Sequence, residues 1–105
     1  MPSETVVVTA VFTPVEGRLN DLREALAASI PAVHAEAGCE LYAIHDGEDG
    51  RIHMLEKWSS VEELDAHGAG EAVAALQQAT AGLSSGAEVT RMFPIPAGTP
   101  EQGLL

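Results

Sequence analysis

Seven consecutive positions, Val6 to Phe12, read Val, Val, Val, Thr, Ala, Val and Phe, bounded by Thr13-Pro14 and Gly17. So β-branched and apolar a run reads as a β-strand. Successive side chains of a strand point to opposite faces, so Val6, Val8, Ala10 and Phe12 share one side while Val7 and Val11 take the other, with only Thr9 polar. Neither side suits water. The chain must cover this strand twice, and that requirement narrows its choice of fold more than any other feature.

From Arg18 the apolar spacing changes to three and four residues, Leu19, Leu22, Leu26, Ile30 and Val33, which predicts an amphipathic helix with Asp21, Arg23 and Glu24 turned away. Pro31 lacks an amide donor, so a kink or a new start is expected near Ser29, with a last turn ending at Gly38. Cys39 to Asp46 and Arg51 to Trp58 read as antiparallel strands joined by the hairpin loop Gly47-Glu48-Asp49-Gly50. Ser60 followed by Glu63 fits a capping box that opens a second helical region, with apolar Val61, Leu64, Val73 and Leu76, split by Gly68 and Gly70. Gly82 to Gly86 punctuates the chain before a last strand, Ala87 to Phe93, which Pro94 and Pro96 close.

The order strand, helix, strand, strand, helix, strand is the split βαβ arrangement, an α+β architecture in which four antiparallel strands carry both helices on one face. One domain over residues 1–105 is expected, with a lead-in at 1–5 and a Pro/Gly-rich tail at 94–105 that is either disordered or an arm on a partner. The helix-free face leaves large aliphatic groups in water at about 1.5 to 3 kcal/mol each. A homodimer packed through that sheet face removes the cost; a lone chain that tolerates the outward residues singly is the alternative.

Sixteen acidic against five basic side chains set a formal net charge of −11, which disfavours nucleic acid and anionic membrane as partners and leaves a small neutral or aromatic molecule. Met1 to Thr5 carries no basic cluster and leads into no long apolar run, so no signal peptide or membrane helix is expected. Cys39 is the sole cysteine, which fits a reducing, cytoplasmic setting. Glycine-rich nucleotide motifs, paired cysteines, H-E-x-x-H and G-x-S-x-G are all missing, so no nucleotide, zinc or serine-hydrolase chemistry is signalled and no cofactor is expected.

Three short elements stand in order: Glu36-Ala37-Gly38-Cys39-Glu40-Leu41-Tyr42, Glu56-Lys57-Trp58-Ser59-Ser60 and Ala66-His67. In order and spacing they resemble the antibiotic biosynthesis monooxygenase family, and the likeness extends from Val6 to about Pro96. The resemblance implies a ferredoxin-like fold, a dimeric α+β barrel and a pocket between sheet and helices. Relatives oxygenate quinols or polycyclic phenols without a cofactor; others degrade haem, isomerise small metabolites or have no known activity. The haem-degrading branch uses an asparagine on the first strand and a late histidine, and neither stands here: Val6 to Phe12 holds no Asn, and no His follows His67. The second histidine frequent in the family shortly after position 67 is also absent.

Cofactor-free oxygenation of a dihydroxy-aromatic needs a base, a flat apolar wall and a group that steadies negative charge. His67 is the candidate base, since histidine titrates near working pH; it also reads as a helix-end residue suited to the dipole. Trp58 reads as the wall or as core. Tyr42 is placed to hydrogen-bond a substrate oxygen, with Glu56 beside it in a substrate-binding role, although the two also read as a cross-strand polar pair. Arg91 on the last strand is the candidate for the anion. His45 and His53 flank the hairpin without a third metal ligand at a telling spacing, His34 reads as surface, and Cys39 as a small buried hydrophobe. A cofactor-independent monooxygenase for a quinol or phenol is the leading reading. A ligand-binding module without turnover and a cofactor-free isomerase or cyclase are its rivals.

Overall fold

In the computed structural model, which describes residues 4–105, the chain follows the expected order: β1 (Val6–Pro14), α1 (Leu19–His34), β2 (Cys39–Asp46), β3 (Ile52–Trp58), α2 (Val61–Gly68), α3 (Glu71–Thr80), β4 (Ser84–Met92) and a short α4 (Pro100–Gly103). The first three residues of the expected lead-in lie outside the described residues. The strands form one antiparallel sheet in the order β2-β3-β1-β4, so the twice-apolar first strand sits inside it and β2 and β4 are the edges. This is the ferredoxin-like α+β arrangement expected.

Alternation along the strands decides where the core forms. Val6, Val8, Ala10 and Phe12 of β1 are buried together with Ile52, Met54 and Trp58 of β3, which stand opposite them in register. Onto this inner face α1 lays Leu22, Leu26 and Val33, with Leu19 and Ile30 partly buried beside them, the stripe expected from the spacing. Each such side chain contributes about 1.5 to 3 kcal/mol relative to exposure. On the outer face Val7 is buried, while Val11, Leu41, Ala43 and Leu55 are half-buried.

Pro31 does not interrupt α1, contrary to expectation: the helix is continuous from Leu19 to His34. The bond that Pro31 cannot make is to the carbonyl of Ala27, and both residues lie on the exposed side, where water takes up the acceptor. The helix also stops short of Gly38. Residues 35–38 form a turn in which Gly38 adopts φ +82°, and a Cβ there would run into the side chain of Glu63. Conformation and space therefore both demand glycine. The amide of Ser59 donates to the Gly38 carbonyl at 2.9 Å and fastens this turn to the end of β3.

The hairpin loop closes as expected, the Gly47 amide donating to the Arg51 carbonyl at 2.8 Å. Asp49 accepts from the Arg51 amide and from His53, and these bonds lower its carboxyl to a pKa of about 2. Half of the capping box is formed: Ser60 Oγ accepts from the Glu63 amide at 3.1 Å, while the Glu63 carboxylate accepts from the Ser59 and Ser60 hydroxyls rather than from the Ser60 amide. Gly70 opens α3, so the second helical region is split where the glycines stand. The last strand begins three residues earlier than expected and ends one residue sooner, because β1 runs on to Pro14 and pairs that residue with Ser84. In the tail, Thr99 caps the single turn of α4. No helix among the described residues is long and apolar enough to cross a membrane.

Candidate active site

Strand register places four side chains in one row across the inner face. Tyr42 on β2 stands opposite Glu56 on β3, Glu56 opposite Val8 on β1, and Val8 opposite Arg91 on β4. The row spans three strand spacings, roughly 14 Å. The next row along the sheet is Ile44, Met54, Ala10 and Val89, wholly apolar. Polar groups thus meet at one level and grease at the next.

Over the β3 and β2 side of this row stands His67, in the last turn of α2. Its ring lies 4.5 Å from that of Trp58, tilted by 34°, and 5.4 Å from that of Tyr42, edge-on at 70°. Nδ1 donates to Glu36 Oε1 at 2.5 Å. Glu36 comes from the turn that Gly38 closes, so the end of α1 supplies the partner of a histidine on α2. With Nδ1 committed to a carboxylate, Nε2 carries the lone pair of the neutral ring.

Glu56 is 5% exposed, and its Oε1 accepts from the Trp58 indole N–H at 3.0 Å. Burial pushes its carboxyl up from the ordinary value of 4.5, and the indole bond, His67 and Arg91 oppose that shift only in part. The Tyr42 phenol is held well above the usual range by burial, then by Glu56 and Glu36, so it remains a neutral hydroxyl. Cys39 is pushed up by burial and by the same two acids, which makes it a poor thiolate.

A cavity of about 470 Å³ lies between the inner face and α2 and α3, within the range of small-molecule sites. Val8, Ala10, Phe12 and Met54 form its floor, Leu64, Val73 and Leu76 its helical wall, and Val89 and Arg91 its β4 side. Tyr42, Glu56 and His67 reach it together. Arg91 sits at the opposite edge, half exposed, where Nη2 donates to Asp65 Oδ1 of α2 at 2.7 Å. Four of the five residues singled out in the sequence therefore converge on one cavity.

Trp58 does not line it. The side chain is 0% exposed and stands behind His67, so of its two readings, substrate wall or core, Trp58 takes the second, and the cavity walls are mainly apolar with Gln77, Thr80 and Ser84 among them. Two acids had been given no role in the sequence. Glu36 opens the first of the three short elements, and Asp65 lies two residues before His67; their contacts cross 31 and 26 residues, distances at which no local pattern operates. His53 is drawn to Asp49 and His45 to the His53 carbonyl, and among the described residues no group of three or more His, Cys, Asp or Glu is arranged to hold a metal ion. His34 is exposed, and its Nε2 donates to the Tyr42 carbonyl at 3.0 Å, fixing the end of α1 to β2.

Among solved structures the chain is similar to protein SO0527 from Shewanella oneidensis, at 29% identity over 86% of this chain and 90% of that one, with a TM-score of 0.78. Rv0793 from Mycobacterium tuberculosis is 26% identical over 91% of this chain and 100% of that one, at 0.82. PA3566 from Pseudomonas aeruginosa shares the fold at 22% identity and a TM-score of 0.81, covering 90% and 98% of the two chains. No curated protein sequence matches. The family model described as antibiotic biosynthesis monooxygenase matches residues 5–79, a stretch that holds β1, the Glu36–His67 pair and most of the cavity wall, and the chain belongs to that family.

Proposed function

We propose that this chain is a cofactor-independent monooxygenase acting on a quinol or polycyclic phenol. The observation that carries the reading is the Glu36–His67 dyad, held against Trp58 at one end of a cavity whose floor is apolar. Glu36 keeps hydrogen on Nδ1 and steadies the imidazolium, so Nε2 is the proton acceptor. A fused aromatic ring lies along Val8, Ala10 and Met54, and its hydroxyl edge meets Tyr42, a neutral donor, and Glu56.

Removal of one proton leaves an electron-rich anion, which passes a single electron to dioxygen. The two radicals recombine on the ring carbon, and the resulting peroxide takes up the proton. Loss of water then leaves a carbonyl. The substrate gives up two hydrogens, one from its hydroxyl and one from the ring carbon that is attacked, that carbon gains one oxygen atom, and the second oxygen atom departs as water, so the substrate itself supplies every electron. Arg91 faces the charge that develops at the rim, tempered by Asp65.

A second copy of the chain is part of this reading. Val11, Leu41, Ala43 and Leu55 form a half-buried apolar outer face, and Phe93, Ile95, Leu104 and Leu105 are exposed beyond β4, which supports pairing through the sheet.

Oxygen uptake by metal-stripped protein with anthrone and hydroquinone substrates tests the activity. It is expected to fall by about 10² or more in His67→Ala, the usual range for loss of a general base. Undiminished uptake removes His67 from its role. Product formed without oxygen places the chain with isomerases, and ligand binding without product makes it an accessory module.

A further inference from the structure

The charges around the cavity are not arranged for a ligand that arrives already ionised. Two basic side chains reach it, and each is matched by a carboxylate that stands outside the lining: His67 by Glu36 at 2.5 Å and Arg91 by Asp65 at 2.7 Å. The acid that does line the cavity, Glu56, takes its hydrogen bond from a neutral indole. A ligand that arrives as a carboxylate therefore meets Glu56 within and Asp65 at the rim, on a chain of formal net charge −11, while Asp65 cancels much of the field of Arg91. A hydroxyl meets no such opposition. It can donate to Glu56 and accept from the Tyr42 phenol, which face one another across β2 and β3.

We infer that the cavity takes its aromatic ligand in an uncharged, hydroxyl-bearing form, and that Asp65 sets this selectivity from outside the cavity by holding Arg91 in an ion pair. The inference rests on the reading of the cavity as a site for an aromatic molecule. Asp65 acts through Arg91 and is a positioning residue. An exposed pair of this kind holds the fold together only weakly, so its removal changes the charge presented to the ligand and little else.

Calorimetric titration of the full chain with 2-naphthol and with 2-naphthoate at neutral pH tests this, because the two share a ring system and differ in charge. 2-Naphthol is expected to bind at least tenfold more tightly. In Asp65→Asn, 2-naphthoate affinity should rise at least threefold while that of 2-naphthol stays within twofold, and adding Arg91→Gln should abolish the gain. Equal or tighter binding of 2-naphthoate by the natural chain, or no response to Asp65→Asn in a variant with an unchanged circular dichroism spectrum, overturns the inference while leaving an aromatic site in place. If neither ligand binds, the aromatic site falls, and the selectivity with it.

Discussion

The two ends of one sheet face behave differently. Where β3 meets β2, the inner face is sealed: Trp58, Glu56 and Tyr42 are each almost wholly buried under α1 and α2. On β4 the same face is open, with Val89 64% exposed and Arg91 half in solvent. The contrast follows from where the helices lie. α1 packs across β2 and against α3, and among the described residues no helix packs extensively on β4, so the cavity opens along the uncovered edge. One end holds the Glu36–His67 pair in place, and the other leaves the cavity open to solvent.

The largest effect that can break this contrast lies at the sealed end. Trp58→Ala removes a fully buried ring and deprives Glu56 of its donor, and a loss of about 3 to 5 kcal/mol is expected in chemical denaturation. Val89→Ala at the open end should stay within about 0.5 kcal/mol. Comparable losses from the two would show that β4 is covered in solution and that the opening is elsewhere.

A smaller effect concerns pH. The carboxyl of Glu56 is raised by burial, so between the ordinary glutamate value of 4.5 and its folded value the native chain binds more protons than the unfolded one. Stability of the natural chain must then decline through that window as pH rises, and Glu56→Gln escapes the decline. Denaturation curves of both, taken from pH 4 upward, should show the natural chain losing ground to the variant. A constant difference would mean that Glu56 is hydrated and that the sealed end is wet.

The smallest effect on the fold, though not on assembly, is expected at the outer face. Leu55 stands between Thr9 and Ala43 in the middle of that face and is only half-buried. Sedimentation equilibrium should give two chains per particle for the natural protein and one for Leu55→Lys, with the circular dichroism spectrum unchanged. A single chain in both cases would discard the paired form.

Much of the fold was legible because its signals are local. The apolar run of β1, the Ser60–Glu63 box and the glycines at 68 and 70 each act within a few residues, and each stands where it was read. Pro31 departs from its local signal for the opposite reason. The cost of a missing amide depends on whether the orphaned carbonyl faces water, which only the packed helix decides. In the site, the residues that reach the cavity could be named from their types and from the likeness to a family, but their partners could not. Glu36 finds His67, and Asp65 finds Arg91, only after four strands and three helices have closed on one another. Trp58 shows the same limit, since an aromatic ring behind a histidine and one in front of it look alike in sequence.

The row from Tyr42 to Arg91 makes the chemistry a matter of parity. Sliding β2 by a single residue against β3 would turn the phenol to the far side of the sheet and bring Leu41 or Ala43 inward. Descendants of this chain are therefore free to lengthen the loop at Gly47–Gly50, where slack bulges into solvent, yet they must keep odd and even positions of the strands in step.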